Sequence, residues 1–408
     1  MKILLINKFH YLKGGAERVY FETKRLLEEN GHDVICFSMQ DEKNVPCTES
    51  GFFVPHVDFS DKVGWYKKAF RFIYYKESAR RLEKLIKEEK PDIAHLHNVY
   101  HQLTYSILKP LKKYHIPIVQ TLHDYNLIAP DYNLYSNNRI CESCKAHKYY
   151  KCVFRKCLQN SFFSSLWGAL ESYVSWFAGY AKKIDQFIAP SKYLSQKYAD
   201  WGFTRPIKVI HNCIELSSFE PEYNPEDYIV YFGRLSREKG VKTLCQAVRK
   251  LPNVKLKVIG AGPERLQLKD YLKQKQARNI EMLGQLAGDE LFNIVKKARF
   301  VVVPSQWLEN YPMIVIEAMA LGKPVLASRL GGLTEMVTEN YNGWFFEAGN
   351  IRNLREQIKK VYDNAPLIEQ LGRNARRTVE QKNNSEEYYK QIRNVYDALV
   401  QSNKVGLG

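Results

Sequence analysis

Short runs of four to six almost wholly apolar residues recur along this sequence, with longer stretches of helical periodicity between them. That alternation constrains the fold more than any other feature. Ile3 to Ile6, Val34 to Phe37, Ile93 to Leu96, Pro117 to Leu122 and Gln186 to Ala189 read as buried strands. A strand that is apolar on both faces needs helices on both sides, as in a parallel sheet of β-α-β units. The pattern restarts with Lys208 to Ile210, Tyr228 to Phe232, Val254 to Ile259, Ile280 to Leu283, Phe300 to Val303 and Pro324 to Ala327. At 408 residues the chain also exceeds what one core comfortably holds. The expectation is an α/β protein of two doubly wound, Rossmann-like parallel-sheet domains facing a central cleft and meeting near residue 190.

The expected boundaries are 1–189 for the first domain, with a cysteine-rich insertion at about 130–182, 190–385 for the second, and 386–408 for a C-terminal helix and tail. Asn350 to Gln401 is helical in composition and is suited to cross back onto the first domain.

Sixty-one Lys and Arg against 44 Asp and Glu give a net charge of +17, which points to anionic partners without choosing among nucleic acid, lipid headgroups and nucleotide phosphates. No stretch approaches the roughly 20 apolar residues of a membrane span. Met1-Lys2-Ile3-Leu4-Leu5-Ile6-Asn7 turns polar too soon for a signal peptide, so the cytoplasm is the expected compartment. Of the 8 cysteines, Cys36, Cys213 and Cys245 lie in or beside apolar patterns, where a reduced thiol acts as a small hydrophobe.

Function has to come from local motifs. Lys13-Gly14-Gly15-Ala16-Glu17-Arg18 stands between the first strand and a helix running to about Asn30, so Gly14 and Gly15 open helix N-H groups to an anion or simply make a structural turn. Gly233-Arg234-Leu235-Ser236-Arg237-Glu238-Lys239-Gly240 follows a buried strand. Arg234 and Lys239 are able to converge there on a diphosphate, or to form a solvated basic loop.

The most specific stretch runs from Pro304-Ser305 through Glu309-Asn310-Tyr311-Pro312 to Glu317 and Gly322. A strand ends, a loop carries Glu309, and a helix starts at the carboxyl edge of the sheet, where open α/β folds bind ligands. Glu317 falls among Met313, Ile314, Val315, Ile316, Ala318 and Met319, and an acid in so apolar a helix needs a hydrogen-bonding partner such as a sugar hydroxyl.

These motifs, with Val258-Ile259-Gly260-Ala261-Gly262-Pro263 and the early Gly14-Gly15, together resemble glycosyltransferase family 4, whose members are retaining enzymes of the GT-B fold. The resemblance spreads over most of the chain and implies that Arg234 and Lys239 hold the donor diphosphate and stabilise the leaving group. It implies that Glu317 binds the ribose and Glu309 the transferred sugar, with N-H groups near Asn310 and Tyr311 facing phosphate. Gly14, Gly15 and Gly260 would approach the donor. His123, in Thr121-Leu122-His123-Asp124-Tyr125, resembles the family's active-site histidine. Gly331, Gly332 and Glu335 resemble its following Gly-Gly turn and acid, a plain turn being an equal reading.

The implied donor is a nucleotide-sugar, a UDP-sugar or a GDP-sugar. The resemblance further implies transfer to a lipid-linked or glycan acceptor in envelope or capsular polysaccharide synthesis, with retention by front-face attack and no cofactor required for catalysis. A nucleotide-sugar epimerase and a non-catalytic nucleotide-sugar-binding scaffold are the rival readings.

From Trp65 to Lys87, aromatic residues interleave with Lys67, Lys68, Arg71, Lys76, Arg80, Arg81 and Lys84, which suits peripheral contact with anionic lipid on the inner membrane face or an ordinary amphipathic surface helix. The donor motifs argue against nucleic acid. The aromatic segment Phe162 to Tyr180 reads as acceptor-binding or as packed on the first sheet. Cys141, Cys144, Cys152 and Cys157 follow at short spacing, with His147 as a substitute ligand. They read as a structural zinc site or as free or redox-active thiols.

Overall fold

The computed structural model describes residues 1–56, 71 and 73–407. Trp65 to Phe70 and Phe72, within the proposed membrane-contact stretch, lie outside the described residues.

The chain forms two compact units, one of residues 1–136, 141–210 and 386–408, the other of residues 137–140 and 211–385. Each is built on a six-stranded sheet with every recorded pairing parallel. In the first, β1 (Lys2–Ile6), β2 (Asp33–Phe37), β3 (Ile93–Leu96), β4 (Ile118–Thr121), β7 (Gln186–Ala189) and β8 (Ile207–Val209) take the order β2-β1-β3-β4-β7-β8. The intervening β5 (Tyr135–Ser136) and β6 (Arg139–Ile140) form a separate two-stranded hairpin. In the second, β9 (Ile229–Phe232), β10 (Leu256–Ile259), β11 (Ile280–Gly284), β12 (Val301–Val303), β13 (Val325–Ser328) and β14 (Gly343–Phe346) run β11-β10-β9-β12-β13-β14.

In each sheet the order reverses beside the first strand, between β1 and β3 and between β9 and β12. The carboxyl ends at such a reversal are where connecting loops diverge and leave a crevice. Ile3, Leu4, Leu5, Ile6, Ile93 and Phe187 are fully buried, as strands covered on both faces require. In the second unit Tyr231, Val258, Phe300, Trp344, Leu354 and Leu371 belong to one core cluster.

Two readings are corrected, one strand's sheet and one strand that was missed. Ile207–Val209 pairs with β7 (Phe187↔Ile207, Ile188↔Lys208, Ala189↔Val209), so it closes the first sheet instead of opening the second, and the division falls near residue 210, not 190. The reason is the helix Lys192–Asp200, whose crossover delivers the next strand parallel to β7. The aromatic run Gly343–Phe346 is a fully buried strand that the apolar-run reading passed over. Residues 386–408 are counted with the first unit: Tyr388 Oη lies 2.7 Å from Thr23 Oγ1 and Tyr396 Oη 2.6 Å from His95 Nδ1.

Candidate active site

In the second unit the loops after β9 and β12 leave the sheet at its reversal point. Gly233 (φ 136°) and Gly240 (φ 67°) bracket the first loop, in backbone regions that favour glycine. A Cβ on Gly240 would stand 2.0 Å from the Pro304 carbonyl oxygen, so this glycine lets the two loops touch. Arg234 is exposed on the loop. Lys239 reaches across it: its Nζ lies 2.7 Å from Glu309 Oε1 and 5.0 Å from the Trp307 ring centre. Glu309 is 3% exposed, and the same Oε1 accepts a hydrogen bond from Ser305 Oγ at 2.5 Å. A buried carboxylate is tolerated only when so paired.

Behind Glu309, Gly331 and Gly332 pack against its backbone. A Cβ on Gly332 would lie 1.8 Å from the Asn310 carbonyl oxygen, and the Gly332 N-H donates to the Glu309 carbonyl at 2.6 Å. Close approach is therefore what this Gly-Gly turn provides. Glu335 follows in the short helix Leu333–Met336.

Gly260 does the same between strands, since a Cβ there would meet the Gly233 carbonyl oxygen at 1.9 Å. Pro312 caps the helix Met313–Ala320 and so sets its N-terminus just beyond Asn310 and Tyr311. Glu317 lies within that helix at 2% exposure, among buried Val315, Ile316, Ala318 and Met319. The Tyr311 ring stacks on His211 (5.0 Å between centroids, 14° between planes), and Asn383 Nδ2 lies 3.1 Å from its hydroxyl. The second unit thus gathers Arg234, Lys239, Gly260, Glu309, Asn310, Tyr311 and Glu317 around one end of one sheet.

In the first unit His123 follows β4 and pairs with His97, which follows β3. His123 Nε2 and His97 Nδ1 are 2.9 Å apart and the rings stack at 19°. His97 in turn lies against His95, 4.6 Å between centroids. Burial lowers His123 and His95 to about 3, so both are neutral near pH 7. Lys8, beyond β1, has its ammonium 3.7 Å from the Tyr100 ring centre, and burial lowers it to about 8. Tyr100 Oη donates to Asp124, whose own pKa burial raises.

Gly14 and Gly15 are exposed at the start of the helix Gly15–Glu29, and a Cβ on Gly14 would stand 3.7 Å from buried Glu17 Oε2. The first unit therefore brings an open helix N-terminus, a cation and a neutral imidazole to the loops on one edge of its sheet.

A family model described as Glycosyltransferase Family 4 matches residues 13–218, and one described as Glycosyl transferases group 1 matches residues 214–378. The chain belongs to glycosyltransferase family 4. An uncharacterized glycosyltransferase of Methanocaldococcus jannaschii is 28% identical to it over 406 residues, 98% of this chain and 99% of that protein. The lipopolysaccharide 1,2-N-acetylglucosaminetransferase of Salmonella typhimurium is 32% identical over 182 residues, 39% of this chain and 48% of that one. The crystal structure of Anabaena HepE in complex with UDP and glucose aligns at a TM-score of 0.69 and 18% identity, covering 98% of this chain and 100% of that one. The glycosyltransferase has the GT-B fold, two Rossmann-like parallel-sheet domains.

Several residues of this family 4 glycosyltransferase escaped the motif reading. Ser305 was visible only as the lead-in to the Glu309 loop, and its hydroxyl is what completes the Glu309 environment. His97 was legible as the polar residue ending an apolar strand, a position equivalent to that of His123. Lys8 and Asp124 carry no motif of their own.

In the insertion, the thiols of Cys141, Cys152 and Cys157 are neighbours in pairs. Cys157 and burial push the Cys141 thiol up to about 12, and the Cys157 thiol, lowered by Cys141 but raised by Cys152 and burial, stands at about 11. Arg155 Nη1 donates to Cys141 Sγ at 3.5 Å. No three of the four insertion thiols have sulfurs within 4.8 Å of one another. His147 instead hydrogen-bonds Tyr149 Oη at 2.9 Å and stacks on Trp176. In the described part of the basic stretch, Arg80 and Arg81 are both engaged by Glu77 at 2.8 Å. Among the described residues no helix is long and apolar enough to cross a membrane.

Proposed function

We propose that this glycosyltransferase moves a hexose from a nucleoside diphosphate-sugar, UDP-linked or GDP-linked, to a lipid-linked or glycan acceptor of envelope or capsular polysaccharide, with retention of anomeric configuration. One observation carries the reading: Lys239, Glu309 and Ser305 form a buried polar cluster at the reversal point of the second sheet, beside exposed Arg234. Open α/β sheets bind nucleotides at such a point.

In this reading the Arg234 fork and the Lys239 ammonium take the diphosphate, the first bidentately and the second as a point charge. The N-terminus of the helix Met313–Ala320 adds N-H groups to the same anion. Both stabilise the departing nucleotide more than the bound donor, because charge on the leaving oxygen grows as the glycosidic bond breaks. Glu317 accepts from the ribose hydroxyls and Glu309 from the sugar. The departing phosphate oxygen takes the proton of the acceptor hydroxyl attacking from the same face. His123, neutral, serves as a hydrogen-bonding group toward sugar or acceptor and not as a charge.

The Salmonella relative's action on lipopolysaccharide supports the acceptor class. UDP in the Anabaena structure supports the donor class. The helix Phe162–Phe177 exposes Phe163 (66%) and Phe177 (76%), which supports contact with a lipid-linked acceptor or the inner membrane face. The test is release of nucleoside diphosphate from a panel of UDP- and GDP-sugars, with and without lipid-linked acceptor extract. Release that needs one donor and acceptor, and collapses in Arg234→Ala and Glu317→Ala, is expected. Acceptor-independent turnover indicates an epimerase, and binding without turnover a scaffold.

A further inference from the structure

We propose that His10, Cys36 and Cys47, with Glu49, form a binding site for a thiophilic divalent cation of the zinc class in the first unit, apart from the insertion cysteines and from every residue used above. Cys36 lies in β2 and is 1% exposed, where its apolar neighbours read as a place for a buried hydrophobe. Its sulfur has different company. One ring nitrogen of His10, the Cys36 sulfur and the Cys47 sulfur lie within 4.8 Å of one another, the one such group of three His, Cys, Asp or Glu among the described residues. His10 comes from the loop beyond β1. Cys47 caps the single turn Thr48–Phe52, and Glu49 lies within that turn. Three segments thus deliver ligands to one point.

Two further observations indicate a ligand. The first is the state of His10, which is fully buried with Nδ1 3.0 Å from Tyr20 Oη, while Nε2 is buried without a hydrogen bond of ordinary geometry and the ring interacts with the Cys47 thiol on the site's side. Leaving such a nitrogen unmatched costs about 1–3 kcal/mol, so it calls for an occupant. Metal-ligating imidazoles have this arrangement, one nitrogen held by an outer oxygen and the other directed at the ion. Tyr20, Phe21 and Phe53 box the ring at 5.8, 5.3 and 5.5 Å between centroids and fix its plane.

The second observation is a carboxylate beside the group, near Cys47 and the Cys36 backbone but outside the 4.8 Å circle that His10, Cys36 and Cys47 share. Glu49 Oε2 lies 2.7 Å from Cys47 Sγ and accepts from the Cys36 N-H at 3.4 Å. Two thiolates and an imidazole at about 2.0–2.3 Å from an ion put the ligand atoms roughly 3.3–3.8 Å apart, a contraction of at most about 1–1.5 Å from the 4.8 Å limit, with Glu49 turning in as the fourth ligand. On binding, the cation displaces the two thiol protons, which leave to solvent. The bond ties β2 and the turn after it to the loop that leads into Gly14 and Gly15.

The experiment uses the full chain, reduced and stripped of metal, titrated with Co²⁺ and then with Zn²⁺ against a chromogenic indicator. One equivalent with the visible bands of tetrahedral thiolate-bound Co²⁺ is expected at this site, beside the one assigned to the insertion cysteines, and Cys47→Ser or His10→Gln should weaken it about a hundredfold or more. Cys141→Ser/Cys144→Ser should leave that equivalent intact. Cys47 is half-exposed, so its variant is the one expected to fold, as circular dichroism will check. In the unmodified protein, Zn²⁺ should also protect Cys36 and Cys47 from iodoacetamide, read by mass spectrometry. Unchanged stoichiometry and affinity in both variants, no protection by Zn²⁺, or a Cys36–Cys47 disulfide in freshly purified metal-free protein would each overturn the proposal.

Discussion

The ammonium of Lys239 stands 2.7 Å from the carboxylate of Glu309, although 70 residues separate them and Glu309 is 3% exposed. The pair ties the loop after β9 to the loop after β12. On the proposed function it also keeps a cation ready where a carboxylate alone would repel a diphosphate.

Removing one partner of such a pair leaves a buried charge, which costs about 3–5 kcal/mol. Lys239→Ala is therefore expected to lower the melting temperature of the second unit markedly. Glu309→Gln, neutral and still able to accept from Ser305, should cost much less stability. Both should lose nucleoside diphosphate release. Calorimetry alongside the release assay separates the two effects, and a Lys239→Ala protein as stable as the parent would contradict the buried-pair reading.

The stacked histidines give a pH dependence of defined sign. His95 and His123 are lowered by burial to about 3 in the folded protein, and His97 is also well below its usual value. The unfolded chain therefore binds more protons than the folded one below its own pKa near 6.5. Stability from these groups is fully present above that pH and is lost as pH falls toward 3, at up to about 1.4 kcal/mol per pH unit for each. Urea midpoints across this range should fall steadily, and His95→Phe should flatten the slope.

Because His123 stays neutral near pH 7, it should add no inflection to rate profiles between about pH 5 and 8. His123→Asn, which keeps a neutral hydrogen-bonding group, is expected to retain more activity than His123→Phe. Equal loss in both would remove the hydrogen-bonding role.

Ending the chain at Ser385 removes Tyr388, Ile392, Val395 and Tyr396, all 5% exposed or less, and strips Thr23 and His95 of their tyrosine partners. At about 1.5–3 kcal/mol per buried large side chain, the loss of four, about 6–12 kcal/mol, is comparable to the whole stability of a domain. The truncated protein is expected to retain a melting transition for the second unit and to lose that of the first. Hydrogen exchange resolved by peptide checks the assignment.

We propose a structural zinc at Cys141, Cys144, Cys152 and Cys157 from their spacing; in the metal-free protein Cys157 and burial push the Cys141 thiol up to about 12, so binding must displace its proton. Since the sulfurs meet only in pairs, binding requires side-chain rotation within the insertion. Metal analysis of Cys141→Ser/Cys144→Ser is expected to show one equivalent fewer than the parent. An unchanged count supports the free-thiol reading.

How much of this was legible follows from the chemistry of each signal. Parallel strands announce themselves as apolar runs, so Ile93–Leu96 and Gln186–Ala189 were read to the residue. Sheet membership was not legible for Ile207–Val209, because pairing with β7 is a tertiary fact that its own three residues do not encode. Glu317 stood out because an acid amid apolar residues demands a partner, and Glu309 through the resemblance of the loop that carries it. The His10–Cys36–Cys47 group stayed hidden because its members are spread over three segments with no fixed spacing, and a lone cysteine in a strand reads as a hydrophobe.

The return of residues 386–408 to the first unit bears on how the protein is made. A ribosome must translate residues 211 to 385, 175 in all, before the segment that finishes the first unit is synthesised. At about 5–20 residues per second this takes roughly 9–35 s. During that interval the second unit has nearly its whole sequence and is free to fold, while His95 waits beside an unfilled apolar groove. Chaperones that shield nascent chains should therefore dwell on the earlier-made half of this glycosyltransferase, the reverse of the usual vectorial order.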